Sequence, residues 1–127
     1  MDLTIAISPG ELFDRLTILR IKDERITDPA KLENVRRELE LVASLAMSLT
    51  LDRACRSAVE ALHEVNAKLW DVEDALREAE RANDFGPTFV GLARSVYRLN
   101  DERASLKKRI NRSLGSSLVE EKSYASY

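Results

Sequence analysis

Leu51-Asp52-Arg53-Ala54-Cys55-Arg56-Ser57-Ala58-Val59-Glu60-Ala61-Leu62-His63-Glu64-Val65-Asn66-Ala67-Lys68-Leu69-Trp70-Asp71-Val72-Glu73-Asp74-Ala75-Leu76 carries apolar side chains at Leu51, Cys55, Ala58, Leu62, Val65, Leu69, Val72 and Leu76, in steps of three and four. Positions spaced this way share one face of an α-helix and no face of a strand. Glu60, Glu64, Asp71, Glu73 and Asp74 fall between them and make the remaining surface acidic. The stretch is a long helix with one face in a core. Upstream, Leu32, Val35, Leu39, Val42, Ala46 and Leu49 keep the same rhythm, but the step after Leu49 falls on Arg53 and the phase is lost. A tight turn over residues 50–52 therefore separates two helices; one long bent helix is the competing reading.

The flanks extend the pattern. Ser8-Pro9-Gly10-Glu11 reads as a helix start, with Ser8 as cap, Pro9 in the first helical position and Glu11 completing a capping box. Thr27-Asp28-Pro29 ends that helix and begins another, with Asp28 as cap. Asn83-Asp84-Phe85-Gly86-Pro87-Thr88 is the clearest loop. Beyond it Phe89, Leu92, Val96, Leu99, Leu106, Ile110 and Leu114 define a last helix, closed by Gly115 as a left-handed cap. The expected fold is all-α: an antiparallel up-down bundle of four helices over about 9–26, 29–49, 52–83 and 88–114, in one domain spanning residues 1–127. Leu3, Ile5 and Ile7 alternate with Thr4 and Ala6, so residues 3–7 read as a short strand, and 118–124 as an edge strand able to pair with it. The third helix, about 45 Å long, exceeds the others and is expected to project past the bundle or to pack on a second subunit.

With 127 residues the chain has room for one real core. A net charge of −2 gives no global attraction to nucleic acid or anionic membranes. The single Cys55 excludes an internal disulfide and lacks companions for a zinc site, and no cofactor or metal is expected. No apolar run approaches the roughly 20 residues of a membrane span, and no leader pattern opens the chain, so a cytoplasmic protein is expected.

One charged hexapeptide occurs twice, as Arg20-Ile21-Lys22-Asp23-Glu24-Arg25 and as Arg98-Leu99-Asn100-Asp101-Glu102-Arg103. At about 100° per residue, Leu12, Phe13, Leu16, Leu19 and Ile26 form the main stripe of the first helix, with Asp23 inside it and Arg20 at its border. Ile18 and Ile21 form a second strip on the other side, flanked by Asp14 and Arg25. A helix apolar on two sides is packed on two sides. In the last helix the stripe through Val96, Leu99, Leu106 and Ile110 holds Arg103 at its centre. An unpaired charge in such a seam costs several kcal/mol, so a buried Asp23–Arg103 ion pair is expected. The alternative use of the repeat is a ligand site built from Arg20, Arg25, Arg98 and Arg103.

Other charged stretches carry weaker signals. Arg94, Arg98, Arg103, Lys107, Lys108, Arg109 and Arg112 make the last helix basic, but no aromatic stacking series accompanies them and nucleic-acid binding is not expected. Asp71 with Asp74, and Glu60 with Glu64, are spaced for paired-carboxylate metal binding. Strung along one helix, the pairs do not converge. His63 is the only histidine and has no nucleophile at helical spacing. Trp70 shares a flanking face with His63, Asn66, Glu73 and Arg77, where a large aromatic anchors another element or subunit. Phe13, Ile18, Ile21 and Trp70 are the expected interface residues.

The run Ser8-Pro9-Gly10-Glu11-Leu12-Phe13-Asp14-Arg15-Leu16-Thr17-Ile18-Leu19 resembles the opening of a small bacterial protein family with the pattern Ser-x-Gly-Glu-Leu-x-Asp-[Lys/Arg]-[Leu/Ile]-Thr-Ile-Leu. Leu99-Asn100-Asp101-Glu102-Arg103 and Val119-Glu120-Glu121-Lys122-Ser123-Tyr124 resemble it as well. That family is one of unknown function, so the resemblance implies no catalytic residue; it implies a chain whose two ends both matter. A looser likeness, in helicity and composition alone, is to the all-α chorismate mutases, which hold a dicarboxylate between helices with Arg and Lys. The sequence thus points to a self-associating, partner-binding helical protein without catalytic activity, a homodimer by preference. Binding of an anionic small molecule, or a chorismate-mutase-like activity, is the alternative.

Overall fold

The computed structural model describes every residue, Met1–Tyr127, and contains four helices and no strand. They are α1 (Pro9–Arg25), α2 (Pro29–Met47), α3 (Arg53–Arg81) and α4 (Pro87–Ser113). Each begins where local chemistry directs. Ser8 Oγ accepts from the Glu11 amide, Asp28 accepts from the amides of Ala30 and Lys31, and Asp52 accepts from that of Cys55. Pro9, Pro29 and Pro87 occupy first helical positions, where their missing N–H costs nothing. Gly115 (φ 64°) and Asn83 (φ 53°) close α4 and α3 in the left-handed region. The amides that follow, of Ser116 and Asp84, return to the carbonyls of Asn111 and Ala79. The break between α2 and α3 is real: Ser48 caps one helix and Asp52 the next.

Helix α1 is the centre of the bundle. It packs against α2, α3 and α4, whereas the backbone of α2 approaches only α1. Asp23 reaches Arg36 across the α1–α2 seam, and Gly10 and Asp14 reach Asn111 and Arg103 of α4, so α1 is antiparallel to both. The core gathers Leu12, Phe13, Leu16, Ala46, Cys55, Ala58, Leu62, Val65, Leu106 and Ile110. Phe13 and Ile21, expected at an interface, are instead 3% and 2% exposed within the single chain. The second apolar side of α1 faces α3 and α4, where Ile21 is buried and Ile18 half-buried. No helix is long and apolar enough to cross a membrane.

The terminal segments correct the expectation of strands at 3–7 and 118–124: neither forms a ladder. Leu3 and Ile5 stay exposed, and the ends meet through side chains, with Ser8 Oγ donating to Glu120 Oε1 at 3.2 Å. The tail then runs back along α4. Lys122 and Tyr127 both bind the Asp101 carboxylate, and the Tyr127 ring meets Tyr97 edge-on at 4.9 Å. Alternation is a weak strand signal when no neighbouring edge is free to pair.

Gly10 sets how closely α1 approaches α4. A Cβ built there falls 2.5 Å from the Lys107 carbonyl oxygen and 2.8 Å from Asn111 Oδ1. The Gly10 amide donates to that same Asn111 oxygen at 2.6 Å. Gly10→Ala gains about 1 kcal/mol of helix propensity. It loses more through overpacking against an immovable backbone and a stretched hydrogen bond, for a net destabilisation of about 2 kcal/mol. Gly91 is the control, because a Cβ added to it would meet nothing within 4 Å: Gly91→Ala is expected to stabilise. Urea denaturation of both variants, read against wild type, checks the opposite signs.

Candidate functional site

Asp14 lies on the side of α1 that faces α3 and α4, one turn beyond Gly10, and its side chain is 7% exposed. A buried carboxylate needs partners for both oxygens. Arg103 supplies a two-pronged contact, with Nε at 2.8 Å from Oδ1 and Nη2 on Oδ2. Asn66 of α3 donates from Nδ2 to Asp14 Oδ1 at 2.9 Å and to Thr17 Oγ1 at 3.0 Å. Thr17, wholly buried, donates its own hydroxyl proton to the Asp14 backbone carbonyl at 2.8 Å. Lys107 Nζ sits 3.9 Å from Asp14 Oδ2 and 2.7 Å from Glu120 Oε2, which ties in the tail. Ser8, Asp14, Thr17, Asn66, Arg103, Lys107 and Glu120 thereby form one connected network across three helices and the C-terminal segment.

The electrostatics follow from this geometry. Burial, the largest single influence, pushes the Asp14 carboxyl up. The hydrogen bonds from Arg103 and Asn66, with the charges of Arg103 and Lys107, outweigh it and hold Asp14 below the usual carboxylate value. Arg103 is pushed up in turn, first by its hydrogen bond to Asp14. The Cys55 thiol is raised by burial and by the charge of Asp52, which leaves little thiolate for nucleophilic chemistry.

Arg103 therefore does pair with an aspartate of α1, but with Asp14 and not with Asp23. Asp23 Oδ1 instead accepts from Arg36 Nε at 2.8 Å on the surface of α2. The antiparallel register explains the correction: Asp23 lies nine residues, about 13 Å, further along α1 than Asp14. Nor do the four arginines converge. Arg25 reaches Asp71 of α3, Arg20 and Arg98 are exposed, and only Arg103 is in the network. The sequence reading did not assign Asp14, Thr17, Asn66, Lys107, Asn111 and Glu120 to a site. Asp14 with Thr17 at i, i+3 spacing beside an apolar strip was the available signal.

Beside the network, α1, α3 and α4 enclose an open groove of about 610 Å³. Ile18, Ile21, Leu69 and Trp70 line it with apolar surface, and Asn66, Glu73, Asp74, Arg77, Asn100 and Arg103 with polar groups. Three of the four expected interface residues thus meet here, together with the Asn66–Trp70–Glu73–Arg77 face of α3. A family model described as a family of unknown function (DUF6165) matches residues 3–127. The chain belongs to that family. No curated protein and no solved structure matches it. In this DUF6165 chain Ser8, Asp14 and Thr17 of the Ser8–Leu19 run and Glu120 of the Val119–Tyr124 run are network members, whereas Glu11 and Arg15 pair with each other at the surface.

Because the folded-state pKa of Asp14 is depressed, its stabilisation is complete above the unfolded carboxylate value of about 3.9 and is lost as pH falls through the folded value. Asp14→Asn leaves Arg103 without its partner and is expected to cost about 3 kcal/mol at pH 7. Urea denaturation at neutral and strongly acidic pH checks this. The gap between wild type and variant should narrow on acidification, and a constant gap would contradict the network's dependence on an ionised Asp14.

Proposed function

We propose that this protein is a self-associating helical binding protein that carries out no catalytic step, and that its homodimer forms through the far end of the α3–α4 hairpin. The observation that supports this is a gap in the core. No residue from Ala67 to Ser105 is buried, although Leu69, Val72, Leu76, Leu92, Val96 and Leu99 continue the apolar seam through that stretch. Arg25, the last residue of α1, meets Asp71, so beyond the groove residues Glu73, Asp74 and Arg77 the end of α3 runs past α1 with α4 as its neighbour. At the tip Phe85 and Val90 are each 51% exposed, and the Phe85 ring stands edge-on to Phe89 at 5.3 Å. Two helices alone leave half of each apolar stripe wet, and a second hairpin covers it.

Charge favours a second copy of this chain as the occupant. Beyond Trp70, α3 carries Asp71, Glu73, Asp74, Glu78 and Glu80 against Arg77 and Arg81, while α4 up to residue 98 carries only Arg94 and Arg98. A two-fold axis between antiparallel hairpins sets the acidic helix of each copy against the basic helix of the other, as a self-complementary interface requires. A separate apolar strip on α2, with Leu41 72% and Leu45 54% exposed one turn apart, is the surface offered to a different protein partner.

Sedimentation equilibrium at micromolar concentration is expected to give twice the 14.4 kDa chain mass. Val90→Glu with Phe85→Glu should return it to the mass of one chain while helicity is retained. A wild-type protein that stays monomeric would sink the proposal.

A further inference from the structure

We infer that the groove between α1, α3 and α4 is a carbohydrate site that takes a single pyranose ring of a neutral sugar. The groove is open to solvent, and its volume of about 610 Å³ falls in the range of small-ligand sites. Its floor contains a polar atom that folding leaves unanswered. Asn66 is 6% exposed, and both hydrogen bonds of its side chain, to Asp14 and Thr17, leave from Nδ2. The acceptor Asp14 Oδ1 fixes that nitrogen's identity, so Oδ1 of Asn66 points away from the network. That oxygen receives no protein donor, yet no buried side-chain atom is left unsatisfied; Oδ1 therefore meets the open space of the groove.

Arg103 presents a matching donor. Its Nε and Nη2 are engaged by Asp14, and Nη1 remains for the groove it lines. Asn100 adds a side-chain amide that bonds to no other protein group, and it sits on the same rim. Trp70, Ile18 and Ile21 line the same groove and supply its aromatic and apolar part.

Charge selects the ligand class. Arg103 is neutralised by Asp14 and Arg77 by Glu73, which leaves the Asp74 carboxylate without a cation. An anion therefore finds no free positive charge here and meets a negative one, so a phosphate or carboxylate ligand is disfavoured. The groove brings planar acceptors and donors together with the indole of Trp70 and aliphatic side chains. A pyranose has that double character: C–H groups on one face to lie on an indole, and hydroxyls at the edge that both donate and accept. A nucleobase would use the indole but has no ring of hydroxyls to engage Asp74, Asn66 and Asn100 together. The proposed dimer contact centres on Phe85 and Val90 at the hairpin tip, which do not line this groove, although Glu73 and Asp74 belong both to the groove and to the acidic face of α3.

Trp70 is the only tryptophan, so its fluorescence reports on the groove alone. Full-length protein is titrated with methyl glucoside, methyl galactoside, methyl mannoside and N-acetylglucosamine, with adenosine and inorganic phosphate in parallel. At least one sugar is expected to give a saturable change. Asn100→Ala and Asp74→Asn, both at the rim, should each weaken it by about tenfold without shifting the melting temperature. The inference is overturned if no sugar saturates, if adenosine or phosphate saturates where sugars do not, or if both variants bind the sugar as wild type does. The mass of the protein, measured on the same samples, reports on self-association independently.

Discussion

A carboxylate placed among three helices governs how this bundle is assembled. Asp14 is almost wholly buried, and an isolated ionised carboxylate in that position would not be tolerated. Its two oxygens accept from α4 through Arg103 and from α3 through Asn66, so both neighbours of α1 must be in register before the charge is satisfied. Hydrophobic contacts between helices permit sliding by a turn; a two-pronged guanidinium contact does not. Whether the pair adds net stability over an apolar substitute is a separate matter, because desolvation offsets much of the attraction. Its clearest effect is on specificity: with Thr17 and Asn66 also tied in, one alignment of α1 against the hairpin satisfies every group.

Gly10 and the network act on the same seam. The glycine lets the start of α1 lie against the α4 backbone at Lys107 and Asn111, where a methyl group would already collide. Further along, Asp14 is held to Arg103, and past that point large side chains, Ile18 and Ile21 on α1 and Asn100 on α4, face a space that no residue fills. The close approach at Gly10, the Asp14–Arg103 pair and the groove thus follow one another along the same side of α1.

The elements were legible because their signals are local. Caps at Ser8 and Asp28, Pro9 and Pro29 in first positions, and the left-handed Gly115 each act within a few residues, and all are seen in the structure; Asp52, which reads as a turn residue, and Pro87, which reads as a loop residue, start α3 and α4 in the same way. The lost phase between Leu49 and Arg53 correctly divided α2 from α3. What failed depended on which neighbours an element has. Projecting α1 onto one main stripe put Asp23 in the core and left Asp14 at a margin. A helix contacted on three sides has no such margin, and Asp14 is the buried one. The same error made Phe13 and Ile21 look like interface residues, although both are buried within the chain. Alternation at the N-terminus suggested a strand, but strand formation is decided by a partner edge, and an all-helical neighbour provides none. The α3 face with Asn66, Trp70, Glu73 and Arg77 was visible as a group; its bordering by α1 and α4 was not.

The doubled hexapeptide illustrates why similar local sequence does not imply equivalent sites. In α1 its apolar residue Ile21 is buried, its aspartate pairs outward with Arg36, and its last arginine reaches α3. In α4 the aspartate holds Lys122 and Tyr127 of the tail, and the last arginine enters the buried network. One copy fastens α1 to its neighbours at the surface, and the other fastens the tail on one side while it meets Asp14 on the other. Each function is set by what lies opposite, and what lies opposite is fixed by the register that Gly10 and Asp14 impose. The two copies still meet in a limited sense: Ile21 of the first and Asn100 and Arg103 of the second line the same groove. There the first supplies apolar wall and the second hydrogen-bonding groups, a division of labour that a symmetric arrangement of two equal arginine sites would not produce.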